Sequence, residues 1–203
     1  GTNAKMNPPL REAVDVEAIK AGIADGTIDC IATDHAPHTL TEKDVEFQLA
    51  PFGIVGLETS LALTITGLVE TGVITLERAI ELMASAPARI LDLQYGGFET
   101  GVLREGGYAD ICIFDPKAEW IVNPNEFHSL SRNTPFAGMK LRGLVKKTIW
   151  RGSVAIRSVS ATMPDRPRKP GSSSTTWRRT RWRAIASSSS CAPVPPVTAT
   201  WSS

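Results

Sequence analysis

A six-residue run, Ile28–Thr33 (IDCIAT), limits what this chain can fold into more than any other stretch. It is short, β-branched and nearly uncharged, with no polar alternation, the pattern of a strand buried on both faces of a helix-covered parallel sheet. Just beyond its C-terminal end come a carboxylate, Asp34, and two histidines, His35 and His38. Upstream, residues 14–25 (VDVEAIKAGIAD) put Val16, Ile19, Ala21 and Ile23 at roughly helical spacing, with Asp15 as N-cap and Gly26 as the stop. Helix followed by buried strand is the repeating unit of α/β folds.

Residues 35–55 carry two prolines and no sustained period, which predicts a long loop, and loops of that length in compact domains are usually functional. A helix is expected at about 57–71, ending at Gly72, and another after Thr75, whose hydroxyl suits an N-cap and whose Leu76, Ala79, Ile80 and Met83 share a face. Ser85 and Pro87 then restart a short helix. From Gly96 short apolar runs alternate with glycines: 109–115, 119–122, 144–150 and 153–157. The expected architecture is α/β, the last units of a β/α (TIM) barrel over 1–95 followed by a small β-rich domain over 96–160, with the barrel incomplete in this chain.

Charge divides the chain differently. Residues 1–160 hold 15 basic and 20 acidic groups, whereas 161–203 hold 7 and 1. An acidic body has no footprint for nucleic acid, which is bound by clustered Lys and Arg. The 43 residues from 161 include 9 Ser, 6 Thr and 6 Pro, a composition that buries too little apolar surface to offset chain entropy, so disorder or an aberrant extension is expected there. No uncharged run in the body approaches the roughly 18 apolar residues of a membrane span. Cys30, Cys112 and Cys191 are far apart and form no C-x-x-C pair, consistent with a reducing compartment. Position 1 is Gly and no leader pattern precedes the first helix, so the start reads as a cut with sequence upstream.

Chemistry concentrates in Thr33-Asp34-His35-Ala36-Pro37-His38. A carboxylate at the end of a barrel strand can bind a metal and exchange a proton with water, although D-H-x-x-H also suits a polar loop with a capping Asp and a packed His. A catalytic zinc needs about three protein ligands. With three histidines in all, one of them His128 in the later region, the set is incomplete here. Pro8 and Pro9 stiffen the segment that carries Asn7, whose amide can donate to and accept from a polar substrate, or simply lie in a turn. Phe52-Gly53 and Gly56 allow close backbone approach to a ligand, or only turn the chain.

Together KMNPPLR (5–11), IATDHAPH (31–38), PFGIVGLET (51–59), SAPARIL (85–91), G-x-L-x-x-G-x-x-A-D (101–110) and SLSRNTPFAGMKLRG (129–143) resemble the C-terminal part of the dihydroorotases, the longer bacterial-type class of the amidohydrolase superfamily. The resemblance covers about residues 4–157. It implies a metal-dependent barrel with one or two zinc ions, interconverting N-carbamoyl-L-aspartate and L-dihydroorotate in pyrimidine synthesis. It further implies Asp34 as metal ligand and catalytic proton carrier, Asn7 and His38 as contacts to the substrate ring and carboxylate, and the backbone at Phe52 and Gly53 against the ring's polar edge. His35 is left as a partly packed histidine. The family's H-x-H-x-R motif and its other metal ligands have no counterpart here, so the chain alone is expected to bind zinc weakly and not turn over. A cytoplasmic location, a homo-oligomer and association with aspartate transcarbamoylase are further implications. Hydantoinases, dihydropyrimidinases and allantoinases share the barrel and the aspartate, and a catalytically silent structural subunit is the non-enzymatic alternative.

Overall fold

The computed structural model describes residues 1–95 and 98–157, so the low-complexity segment 161–203 lies outside the described residues. The first predicted helix runs from Ala13 to Ala24 (α1). Its N-cap is Glu12 rather than Asp15, which sits in the first turn and pairs with Arg11 at 3.0 Å. Its expected apolar face is mostly uncovered: Ile23 is buried, but Ile19 and Val16 are exposed.

The run Ile28–Thr33 is extended but forms no ladder. One parallel bridge joins His35 to Ile54, with Ala36 N–H donating to the Ile54 carbonyl at 2.9 Å, and Ile31 N–H donates to the Leu82 carbonyl. Ile28, Cys30 and Ile31 are half-buried rather than buried on both faces. The cause is the lack of a second parallel strand among the described residues, so the backbone groups on its other side have no ladder to join.

The long loop contains a single helical turn, Leu40–Lys43 (α2). After it, Ser60–Thr64 (α3) continues as a π-helical turn through Val69. Thr75 caps Leu76–Ile80 (α4) by accepting from Arg78 N–H. The helix does not restart at Ser85: α4 passes through a π-helical turn, Glu81–Ser85, into Ala86–Ile90 (α5). Pro87 lacks the N–H that an α-helical ladder would use, and Ala86 N–H reaches back five residues to the Glu81 carbonyl.

Gln94–Tyr95 (β1) pairs with Phe98–Glu99 (β2). The runs predicted at 109–115 and 119–122 join into one strand, Ile111–Ile121 (β3), which pairs antiparallel with Lys140–Trp150 (β4), itself paired with Ser153–Arg157 (β5). Pro116 cannot donate to a ladder, and the β3 register shifts between Asp115 and Glu119 while the Asp115 carboxylate takes the N–H groups of Lys117 and Ala118. The three-stranded sheet packs on α3 through a shared core of Val55, Ala62, Val122, Phe127 and Leu141. Gly143, at φ 95°, lets β4 approach α3's π-turn: a Cβ there would stand 2.5 Å from Ile65 Cδ1.

Candidate active site

Two segments laid side by side build the site, Ile31–His38 and Pro51–Gly56. Gly53 adopts φ 133°, and a Cβ there would meet the Ala36 Cβ at 2.6 Å, so only glycine allows the contact. Asn133, 1% exposed, holds the pair from below. Its side-chain amide donates to the carbonyls of Ala36 (3.0 Å) and Gly53 (3.1 Å), and its Oδ1 accepts from His38 N–H at 3.2 Å. Its own backbone carbonyl accepts from Val55 N–H. Nothing in the residues next to Asn133 marks it out, and its only local signal is its place in the SRNTPFAG stretch.

Asp34 lies at the end of the first segment at φ 40°, a left-handed conformation that asparagine and aspartate tolerate best. Its side chain is exposed and makes no hydrogen bond or ion pair among the described residues. His35, next to it, is indeed partly packed, and its Nδ1 accepts from the N–H groups of Gly56 (3.2 Å) and Leu57 (3.4 Å). That fixes its ring against the second segment.

His38 lies against the Phe52 backbone: its Nε2 is 2.9 Å from the Phe52 carbonyl, while Nδ1 faces the Glu42 carboxylate at 3.7 Å. Both ring nitrogens therefore already have partners. Phe52 itself is 58% exposed. Asn7 is exposed and lies two residues beyond Lys5, whose carbonyl accepts from Gly53 N–H at 3.0 Å. The structure thus ties the Asn7 segment, His38, Phe52 and Gly53 into one neighbourhood. No hydrogen bond joins Asp34 to them.

A cation is a different matter. Among the described residues no three His, Cys, Asp or Glu side chains converge to hold one. Asp34 offers one carboxylate, short of the three protein ligands of a catalytic zinc, so these residues do not by themselves make the centre the resemblance implies.

Residues 6–155 match the amidohydrolase family, and the chain belongs to it. Within that family it is 56% identical over 153 residues to a dihydroorotase of Geotalea daltonii and 53% identical over 156 residues to one of Pelobacter propionicus. Those alignments take in 75% and 77% of this chain, which spans about a third, 35%, of the length of either relative. Among solved structures, the L-hydantoinase (dihydropyrimidinase) of Arthrobacter aurescens aligns over 80% of this chain and 36% of its own, with a TM-score of 0.70 and 31% identity. The D-hydantoinase of Bacillus sp. AR9 aligns over 78% of this chain and 35% of its own, with a TM-score of 0.65 and 26% identity. The fold these neighbours imply is the family's TIM barrel, of which this chain carries part.

Proposed function

We propose that the complete polypeptide carrying this chain is a dihydroorotase, catalysing the reversible cyclisation of N-carbamoyl-L-aspartate to L-dihydroorotate. The observation that carries the reading is 51–56% identity to curated dihydroorotases, against 31% to the structurally similar L-hydantoinase. In the ring-opening direction, water attacks the ring carbonyl carbon while the Asp34 carboxylate takes its proton. The C–N bond then breaks and Asp34 returns that proton to the departing nitrogen; cyclisation runs the same steps backwards. A carboxylate with no internal partner is free to accept and release a proton without first breaking a hydrogen bond. Asn7 and the backbone at Phe52 and Gly53 meet the ring's polar edge. His38 serves the substrate carboxylate when its ring turns from the Phe52 carbonyl.

In this reading the metal is zinc, one or two ions, with Asp34 as one ligand and the rest contributed from outside this chain. Residues 1–95 belong to the barrel and 96–160 to a small β-rich unit. The protein works in the cytoplasm on a small-molecule substrate, as a homo-oligomer or beside aspartate transcarbamoylase. Among the described residues no helix is long and apolar enough to cross a membrane.

The hydantoinase-like neighbours favour a second reading, a hydrolase of another cyclic amide. Ring opening of dihydroorotate, hydantoin and allantoin by the complete polypeptide separates the two. Preference for dihydroorotate is expected; preference for hydantoin or allantoin overturns the assignment, and no turnover of any points to the silent subunit.

A further inference from the structure

Lys43 takes no part in the chemistry above, yet it is 3% exposed. Burying an ammonium is costly unless polar groups replace its water. Three carbonyls do so here, those of Pro51 at 2.8 Å, Lys5 at 3.2 Å and Thr2 at 3.3 Å. They come from two separate stretches, one leading into Asn7 and the other into Phe52 and Gly53. The Lys5 carbonyl accepts from Gly53 N–H as well, so both stretches converge on a single oxygen that Lys43 also holds. Thr2 Oγ1 returns a hydrogen bond to the Lys43 carbonyl at 2.6 Å. The lysine's own position is fixed by the capping box of α2, in which Thr39 and Glu42 exchange side-chain to backbone hydrogen bonds. Burial, with the Lys5 charge nearby, holds Lys43 below the usual lysine range.

We propose that Lys43 is a positioning residue for substrate binding: its ammonium clamps the Asn7 segment to the Phe52-Gly53 segment so that the two meet the substrate ring together. The inference rests on the reading of Asn7, Phe52 and Gly53 as substrate contacts. A clamp of this kind acts on binding geometry rather than on the proton carrier Asp34, which lies on Ile31–His38, a segment to which the Lys43 ammonium donates no hydrogen bond. Lys43→Met in the complete polypeptide should raise KM for dihydroorotate about tenfold with kcat within about twofold, since the loss falls on positioned binding contacts. Hydrogen exchange, followed by mass spectrometry, should accelerate over residues 49–55, where Gly53 N–H sits. Lys43→Gln keeps an amide donor for one carbonyl, should fold even where the Met variant does not, and should give a smaller change of the same kind. Unaltered exchange over 49–55 in both variants overturns the clamp. Faster exchange with unchanged KM, or a fall in kcat at constant KM, overturns the positioning role. An unaltered polypeptide that opens no dihydroorotate fails at the earlier step, the functional reading itself.

Discussion

Three residues carry the site. Gly53 is set by sterics, and Gly53→Ala should cost about 3 kcal/mol, from a backbone angle closed to side chains together with overpacking against Ala36. A lowered denaturation midpoint would measure it. Asn133 is set by hydrogen-bond accounting. Asn133→Ala leaves the Ala36 and Gly53 carbonyls without their donor and His38 N–H without its acceptor, a loss of roughly 2–4 kcal/mol. Asn133→Asp should be no better, because a carboxylate cannot donate to either carbonyl. Asp34 is set by chemistry. Asp34→Asn in the complete polypeptide should abolish ring opening while the fold is retained, since its exposed side chain supports no neighbour; near-normal turnover would contradict the proton-carrier role proposed for it. Asp34 and Gly53 are legible because each sits in a short local motif. Asn133 is not, because its partners are 80 to 97 residues away.

At the level of elements, caps and terminations depend on local chemistry, whereas pairing depends on what the fold brings alongside. The cap at Thr75, the termination of α1 near Gly26 and the β-rich texture beyond residue 96 all follow from residue types within a few positions. The shared core did not, because Leu141 on β4 and Ala62 on α3 are brought together only by tertiary packing. Leu141→Ala should destabilise the protein by about 3 kcal/mol, read from chemical denaturation, because the sheet is seated on α3 through it. The α2 turn carries its own pH dependence. Hydrogen bonds from the Thr39 backbone, then its hydroxyl, and the His38 ring hold the Glu42 carboxyl below its ordinary value of 4.5. A depressed carboxylate stabilises the folded form above that ordinary value and loses the contribution as pH falls through the depressed one. Acidification should therefore lower the protection of amides across residues 39–43 relative to their intrinsic exchange rate at each pH, and Glu42→Gln should flatten that response.

Across the whole molecule, several large apolar side chains stand exposed among the described residues. Val14, Ile19, Leu91 and Trp150 are 72%, 53%, 66% and 59% exposed. Exposed apolar side chains, together with an extended segment without a full ladder, favour association. Sedimentation of the isolated 203-residue chain should show concentration-dependent oligomers, and a strictly monomeric species at high concentration would argue against these side chains acting as contacts. The same chain should take up zinc weakly and without defined stoichiometry, as equilibrium dialysis would show, because Asp34 alone does not make a ligand set.

By itself the sequence determined the family, the helical character around α1, α3 and α4, the β-rich texture beyond residue 98, and the short stretches that set a carboxylate, a histidine and a glycine close together along the chain. These depend on residue type and near-neighbour spacing, which survive in any length of chain. Tertiary structure alone decided that Ile28–Thr33 lacks a ladder, that α1 shows its apolar face, and that Asn133 and Lys43 lock the site's segments together. Each of those depends on what lies across space from a residue: a strand needs a neighbour on each side, and a buried amide or ammonium is satisfied only by the backbone groups that the fold delivers to it.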